Sequence, residues 1–131
     1  MAHQIRLAGP WEHSTGSNDD SVRCQLPFSL PDDQTAATLQ RRFHRPSNLS
    51  AQTQLSLLIV ASARIESVTL NDHTLAANPD AVAHVHVESH RAVQNCVPCT
   101  QAVNAFNELR IVLNTECREI FSAHLLIEEP A

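Results

Sequence analysis

Lysine and tyrosine are absent from this 131-residue chain, and glycine occurs only twice, at Gly9 and Gly16. So few glycines exclude a phosphate-cradling P-loop, a dinucleotide-binding fingerprint and a nucleophile elbow, each of which needs glycines at fixed spacing. The His-Glu-x-x-His pattern of metalloproteases does not occur. No apolar stretch approaches the roughly 20 residues that a membrane-crossing helix requires. The longest run, Leu57-Leu58-Ile59-Val60, suits a buried strand. The N-terminus, Met1 to Arg6, lacks the basic start and apolar stretch of a signal peptide, so a cytoplasmic location is expected.

With no lysine, the positive charge comes from nine Arg against fourteen Asp and Glu, a formal net charge of −5. Only Arg41, Arg42 and Arg45 cluster. An acidic chain without a basic stripe is a poor partner for nucleic acid or for an anionic membrane surface, and neither is expected. The four cysteines (Cys24, Cys96, Cys99, Cys117) read, without a leader, as free thiols or metal ligands rather than disulfides. A hydrophobic content of 43% is that of a folded body, and the length suits one domain over residues 1–131.

What is present is alternation. Apolar and polar residues change places with a period of two, the signature of half-buried strands, and no window of helix length keeps a 3.6-residue stripe. Strands are expected at 3–8, 21–29, 37–44, 53–60, 65–70, 81–88, 106–113 and 119–128. Pro27 confines its strand to an edge or ends its pairing. Ser14 to Asp20 and Pro31 to Gln34 are turn-rich, and 89–105 is the least regular stretch. Asn71-Asp72, between Val68-Thr69-Leu70 and His73-Thr74-Leu75, signals a tight hairpin, because Asn and Asp tolerate positive φ. Segment 53–60 turns apolar on both faces toward its end, which implies cover by a loop or by a partner subunit. About eight short strands of this kind make an all-β chain, a two-sheet antiparallel sandwich of jelly-roll type.

The order of segments resembles one known group. Ile5 to Glu12 looks like the opening strand of the sugar-binding domain of family 2 glycoside hydrolases, a member of the galactose-binding-like β-sandwiches. Leu26-Pro27-Phe28 resembles the approach to its first long loop. Leu39 to Pro46 is similar to its strand with Arg before an aromatic residue and Pro soon after. Val68 to Leu75 resembles its Asn-Gly hairpin, and Asn107-Glu108-Leu109-Arg110-Ile111 its late Asn-x-Leu strand. The resemblance spans nearly the whole chain and implies a galactose-binding-like fold with a saccharide ligand. In those hydrolases the domain accompanies a separate catalytic barrel. The family's Gly-rich aromatic loop after the hairpin is replaced here by Ala76-Ala77-Asn78-Pro79. Aromatic residues total 4%, and Phe43, Phe106 and Phe121 are expected in the core.

Two sets of residues are candidates for binding. Trp11, Glu12, His13, Arg42 and His44 form the first, with Trp11 as a stacking platform and Arg42 as a fork for a hydroxyl pair or carboxylate. The competing reading plugs the core with Trp11 and pairs Arg42 with an acid. His84-x-His86-x3-His90-x5-Cys96-x2-Cys99 is the second. Residues i and i+2 of a strand share a face, so His84 and His86 can converge on one zinc ion, and Cys96 and Cys99 have a spacing used by thiolate ligands. The competing reading is surface histidines and incidental thiols. No catalytic triad or carboxylate pair is singled out, so no catalytic residue is named. The expectation is a non-catalytic binding module for a saccharide or protein ligand, without a cofactor unless zinc. The alternatives are a homo-oligomer joined through Leu58 and Val60, and a metal-binding protein.

Overall fold

The computed structural model describes residues 2–15, 21–76 and 82–129. Twelve strands run through them: β1 (Ala2–Arg6), β2 (Trp11–Ser14), β3 (Val22–Cys24), β4 (Phe28–Ser29), β5 (Ala37–His44), β6 (Gln54–Ala61), β7 (Ser67–Leu70), β8 (His73–Leu75), β9 (Ala83–Val87), β10 (His90–Pro98), β11 (Phe106–Leu113) and β12 (Glu119–Glu128). They form two antiparallel sheets. The first has the order β1-β12-β6-β10-β9, with β4 also on β12; the second is β3-β2-β5-β11-β7-β8.

The count exceeds the expected eight for local reasons. Segment 21–29 divides into β3 and β4, and Pro27 lies between them, outside both ladders. Trp11–Ser14 pairs with β3 and β5 as a strand of its own. His90–Pro98 is a nine-residue strand inside the stretch read as irregular. Most of the polar loop 14–20 and of the stretch replacing the family's Gly-rich loop, residues 77–79, lie outside the described residues.

Alternation explains how the sheets meet. Leu55, Leu57, Ile59 and Ala61 of β6 face inward, as do Leu109, Ile111 and Leu113 of β11. With Leu39, Leu70, Val97, Leu125 and Ile127 they form one apolar core between the two sheets. Side chains of this size each gain about 1.5–3 kcal/mol from burial, so the layer between the sheets is the main source of stability. One polar side chain is fully buried within it. Asn95 accepts from the Ile65 amide at 3.1 Å, and its Nδ2 faces the carbonyls of Ile59 and Val93 at 3.2 and 3.3 Å. These bonds tie β10 to β6 and to the turn that follows β6.

Two aromatic residues expected in the core are not there. Phe106 is 74% exposed, because Asn107, Leu109, Ile111 and Leu113 take the inward positions of β11 and leave it on the opposite face. Phe121 is half-buried: a register shift between Ile120 and Ser122 removes it from the face of Ala123, Leu125 and Ile127. Leu58, on the outer face of the first sheet, lies between Cys96 of β10 and His124 of β12 and is only 8% exposed.

Candidate ligand-binding site

The outer face of the second sheet carries the site. In β5 the inward places belong to Ala37, Leu39 and Phe43, so Gln40, Arg42 and His44 point outward. In β11 the same parity turns Phe106, Glu108 and Arg110 outward. The register sets Phe106 opposite His44, Glu108 opposite Arg42 and Arg110 opposite Gln40. These rows and the β7–β8 turn enclose a cleft of about 770 Å³.

One wall is aromatic. The Phe106 and His44 rings meet edge to face, with centroids 4.9 Å apart and planes at 67°. That contact props the phenyl ring, which stays largely in solvent. The other wall is charged. Arg110 grips Glu108 through Nη2 at 2.6 Å and Nε at 2.8 Å. Arg42 is held loosely by comparison: its Nε lies 3.7 Å from Glu108, and its side chain is 80% exposed. Its guanidinium fork therefore remains available to a ligand oxygen.

The rim is built by asparagines. Asn71 and Asp72 form the two-residue turn between β7 and β8, with φ of 53° and 67°. Two left-handed residues in succession give the turn twist that matches a hairpin. Asn71 donates to the Ala102 carbonyl at 2.9 Å and to Asn107 Oδ1 at 2.8 Å, and it accepts from the Glu108 amide at 2.9 Å. Asn107, buried below, donates to the carbonyls of Asn104 and Phe43 at 2.9 and 3.3 Å and accepts from the Asn104 amide at 2.7 Å. Hairpin, strand and the loop before β11 are thus locked together around the cleft.

The first set of sequence candidates divides. Arg42 and His44 line the cleft. Glu12 points outward from β2 into a smaller hollow of about 220 Å³ beside Pro10, Gln40, Arg41 and Arg42. Trp11 faces the other way. It is 0% exposed, and its Nε1 donates to the Leu7 carbonyl at 3.0 Å, so it fills the core and offers no stacking face. His13 shares that inward parity and lies against Phe28, ring centroids 4.8 Å apart. Phe106, Glu108, Arg110 and Asn71 line the same cleft without having been singled out from the sequence, although the parity of Asn107, Leu109, Ile111 and Leu113 already turned Phe106 and Glu108 outward.

The residues of the second set stand apart from one another. His84 and His86 project from β9 opposite Val93 and Arg91. Cys96 sits on the outer face of β10 opposite Leu58, whereas Cys99, beyond the end of β10, is buried in the core. Burial, with a smaller contribution from Cys96, pushes the Cys99 thiol up to about 12, so it is held as a neutral thiol. Among the described residues, no three His, Cys, Asp or Glu side chains are placed to share a metal ion. Cys24 and Cys117 are also raised chiefly by burial, and all four cysteines are free.

No protein-family model and no curated protein matches the sequence. Solved structures do match the fold. An FMN-binding β-glucuronidase from Facaelibacterium prausnitzii L2-6 superposes with a TM-score of 0.71 at 15% identity, over 97% of this chain and 22% of that one. A Bifidobacterium dentium β-glucuronidase complexed with coumarin-3-O-glucuronide gives 0.63 at 19% identity, over 86% of this chain and 20% of that one. The fold is therefore that of a β-sandwich portion of these glycoside hydrolases, as the order of motifs implied. The chain spans about a fifth of their length.

Proposed function

We propose that this chain is a non-catalytic carbohydrate-binding module whose ligand lies on the outer face of the second sheet. The observation that carries the reading is Phe106: a large apolar ring, 74% exposed, in a cleft whose other lining residues, apart from the buried Phe43, are polar. An exposed aromatic face suits the apolar face of a sugar ring, and the surrounding Arg42, Glu108, Asn104 and Asp72 supply donors and acceptors for hydroxyls. Sandwich likeness to parts of two β-glucuronidases supports a saccharide ligand over other small molecules. Glu108 is held by Arg110, and the cleft's other carboxylate, Asp72, sits in the β7–β8 turn; in this reading both serve as hydrogen-bonding groups for the ligand.

The test is a glycan array followed by calorimetry with wild type and Phe106→Ala. Binding to at least one saccharide, weakened tenfold or more by the substitution, is expected. The ring is exposed, so the variant should melt within a few degrees of wild type. An array without a hit, or a hit indifferent to Phe106, contradicts the reading.

A further inference from the structure

Arg42 lines both hollows on the second sheet: the larger cleft with Phe106, and the smaller one with Glu12 and Gln40. The two are therefore neighbours across one side chain rather than separate sites. Their geometry follows from the register. Phe106 pairs with His44, and Gln40, four residues back along β5, pairs with Glu12 of β2. From Phe106 to Glu12 is two strand spacings across and four residues along, about 10 Å by about 13 Å, hence about 16 Å on the diagonal. That span is longer than one sugar ring. Every outward residue along the diagonal is polar, so nothing apolar competes for the ligand between Phe106 and Glu12.

Resting on the carbohydrate reading above, we propose that the ligand is a chain of at least three pyranose rings laid diagonally across the sheet. One end stacks on Phe106, the middle passes over Arg42, and the far end reaches Glu12. Arg42 suits the middle position because its fork is only loosely engaged by Glu108, at 3.7 Å. It can turn toward a hydroxyl pair or toward a ring carboxylate. Both neutral and uronic chains supply that chemistry.

Calorimetry with two ladders of one to six units, cello-oligosaccharides and oligogalacturonides, tests the proposal and separates the two sources. Affinity for at least one ladder should rise tenfold or more between one and four units and then level off. Glu12→Ala, a change at an exposed position, should remove most of that gain while leaving the disaccharide within twofold. Phe106→Ala should weaken short and long members alike. Gln40→Ala is the second probe of the far hollow and should behave as Glu12→Ala does. Equal affinity for one unit and six, or a Glu12→Ala effect independent of length, overturns the extended chain. So does a failure of both ladders to bind. If a glycan array still registers a saccharide, the carbohydrate-binding module stands without the extended chain; if nothing binds in either assay, both fall.

Discussion

Cys99 and Trp11 are residues whose chemistry is decided by depth. The Cys99 thiol is surrounded by the core and held neutral to about pH 12, far above its ordinary value of 9.0. In the unfolded chain it ionises near that ordinary value, so above it the unfolded state carries fewer protons than the folded one. Stability linked to Cys99 is thus complete below about pH 9 and declines as the pH rises toward 12. Cys99→Ala should show a shallower alkaline loss of stability than wild type in urea titrations at stepped pH. In native protein at pH 8, an aromatic disulfide reagent should modify Cys99 and Cys117 only at the rate of unfolding. Trp11 makes the complementary prediction. It is the chain's one tryptophan and is fully enclosed, so its emission should be blue-shifted, resistant to iodide and unchanged by any saccharide. Trp11→Ala should cost about 3–5 kcal/mol in urea unfolding. A quench on sugar binding would restore the platform reading.

Strands β5, β11 and β12 have the bounds that alternation indicates, because their two faces meet different environments and parity is visible in the residues. Strand β10 was not legible for the opposite reason. Its inward positions include Asn95, a polar residue satisfied mainly by partners 30 or more residues away, and it ends in Pro98. The β9–β10 turn was equally silent: Glu88 takes a φ of 52° without the Asn or Gly that advertises such a turn. Asn71-Asp72 was legible because its residue types announce the left-handed conformation. The partners of Asn71 were not, since Ala102 and Asn107 lie 31 and 36 residues away. Asn71→Ala should therefore lose both φ tolerance and hydrogen bonds, lowering stability by about 1–3 kcal/mol. Asn71→Gly keeps the conformation and should cost about 1 kcal/mol less. Both substitutions should weaken ligand binding. Equal stability for the two variants in urea unfolding would remove the argument from φ.

Across the whole molecule, the sandwich was legible from order and period, and the site only in part. Arg42 and His44, singled out from residue type and place, line the candidate cleft. Phe106 was assigned to the core because large apolar residues usually go there, yet the parity of Asn107, Leu109, Ile111 and Leu113 turned it outward. The approach of Arg42 to Glu108 depends on cross-strand register, which no local pattern reveals, whereas Arg110 lies two residues along the same strand. The molecule that results keeps its apolar mass between two sheets and presents one outer face on which Phe106 is a large exposed apolar side chain set among polar groups. Calorimetry of wild type and Phe106→Ala, with the strongest saccharide from a glycan array, tests this account most directly. It predicts a saturable wild-type isotherm, weakened at least tenfold in a variant of nearly unchanged melting temperature. Equal affinities in the two proteins, or no saccharide bound by wild type, would contradict it.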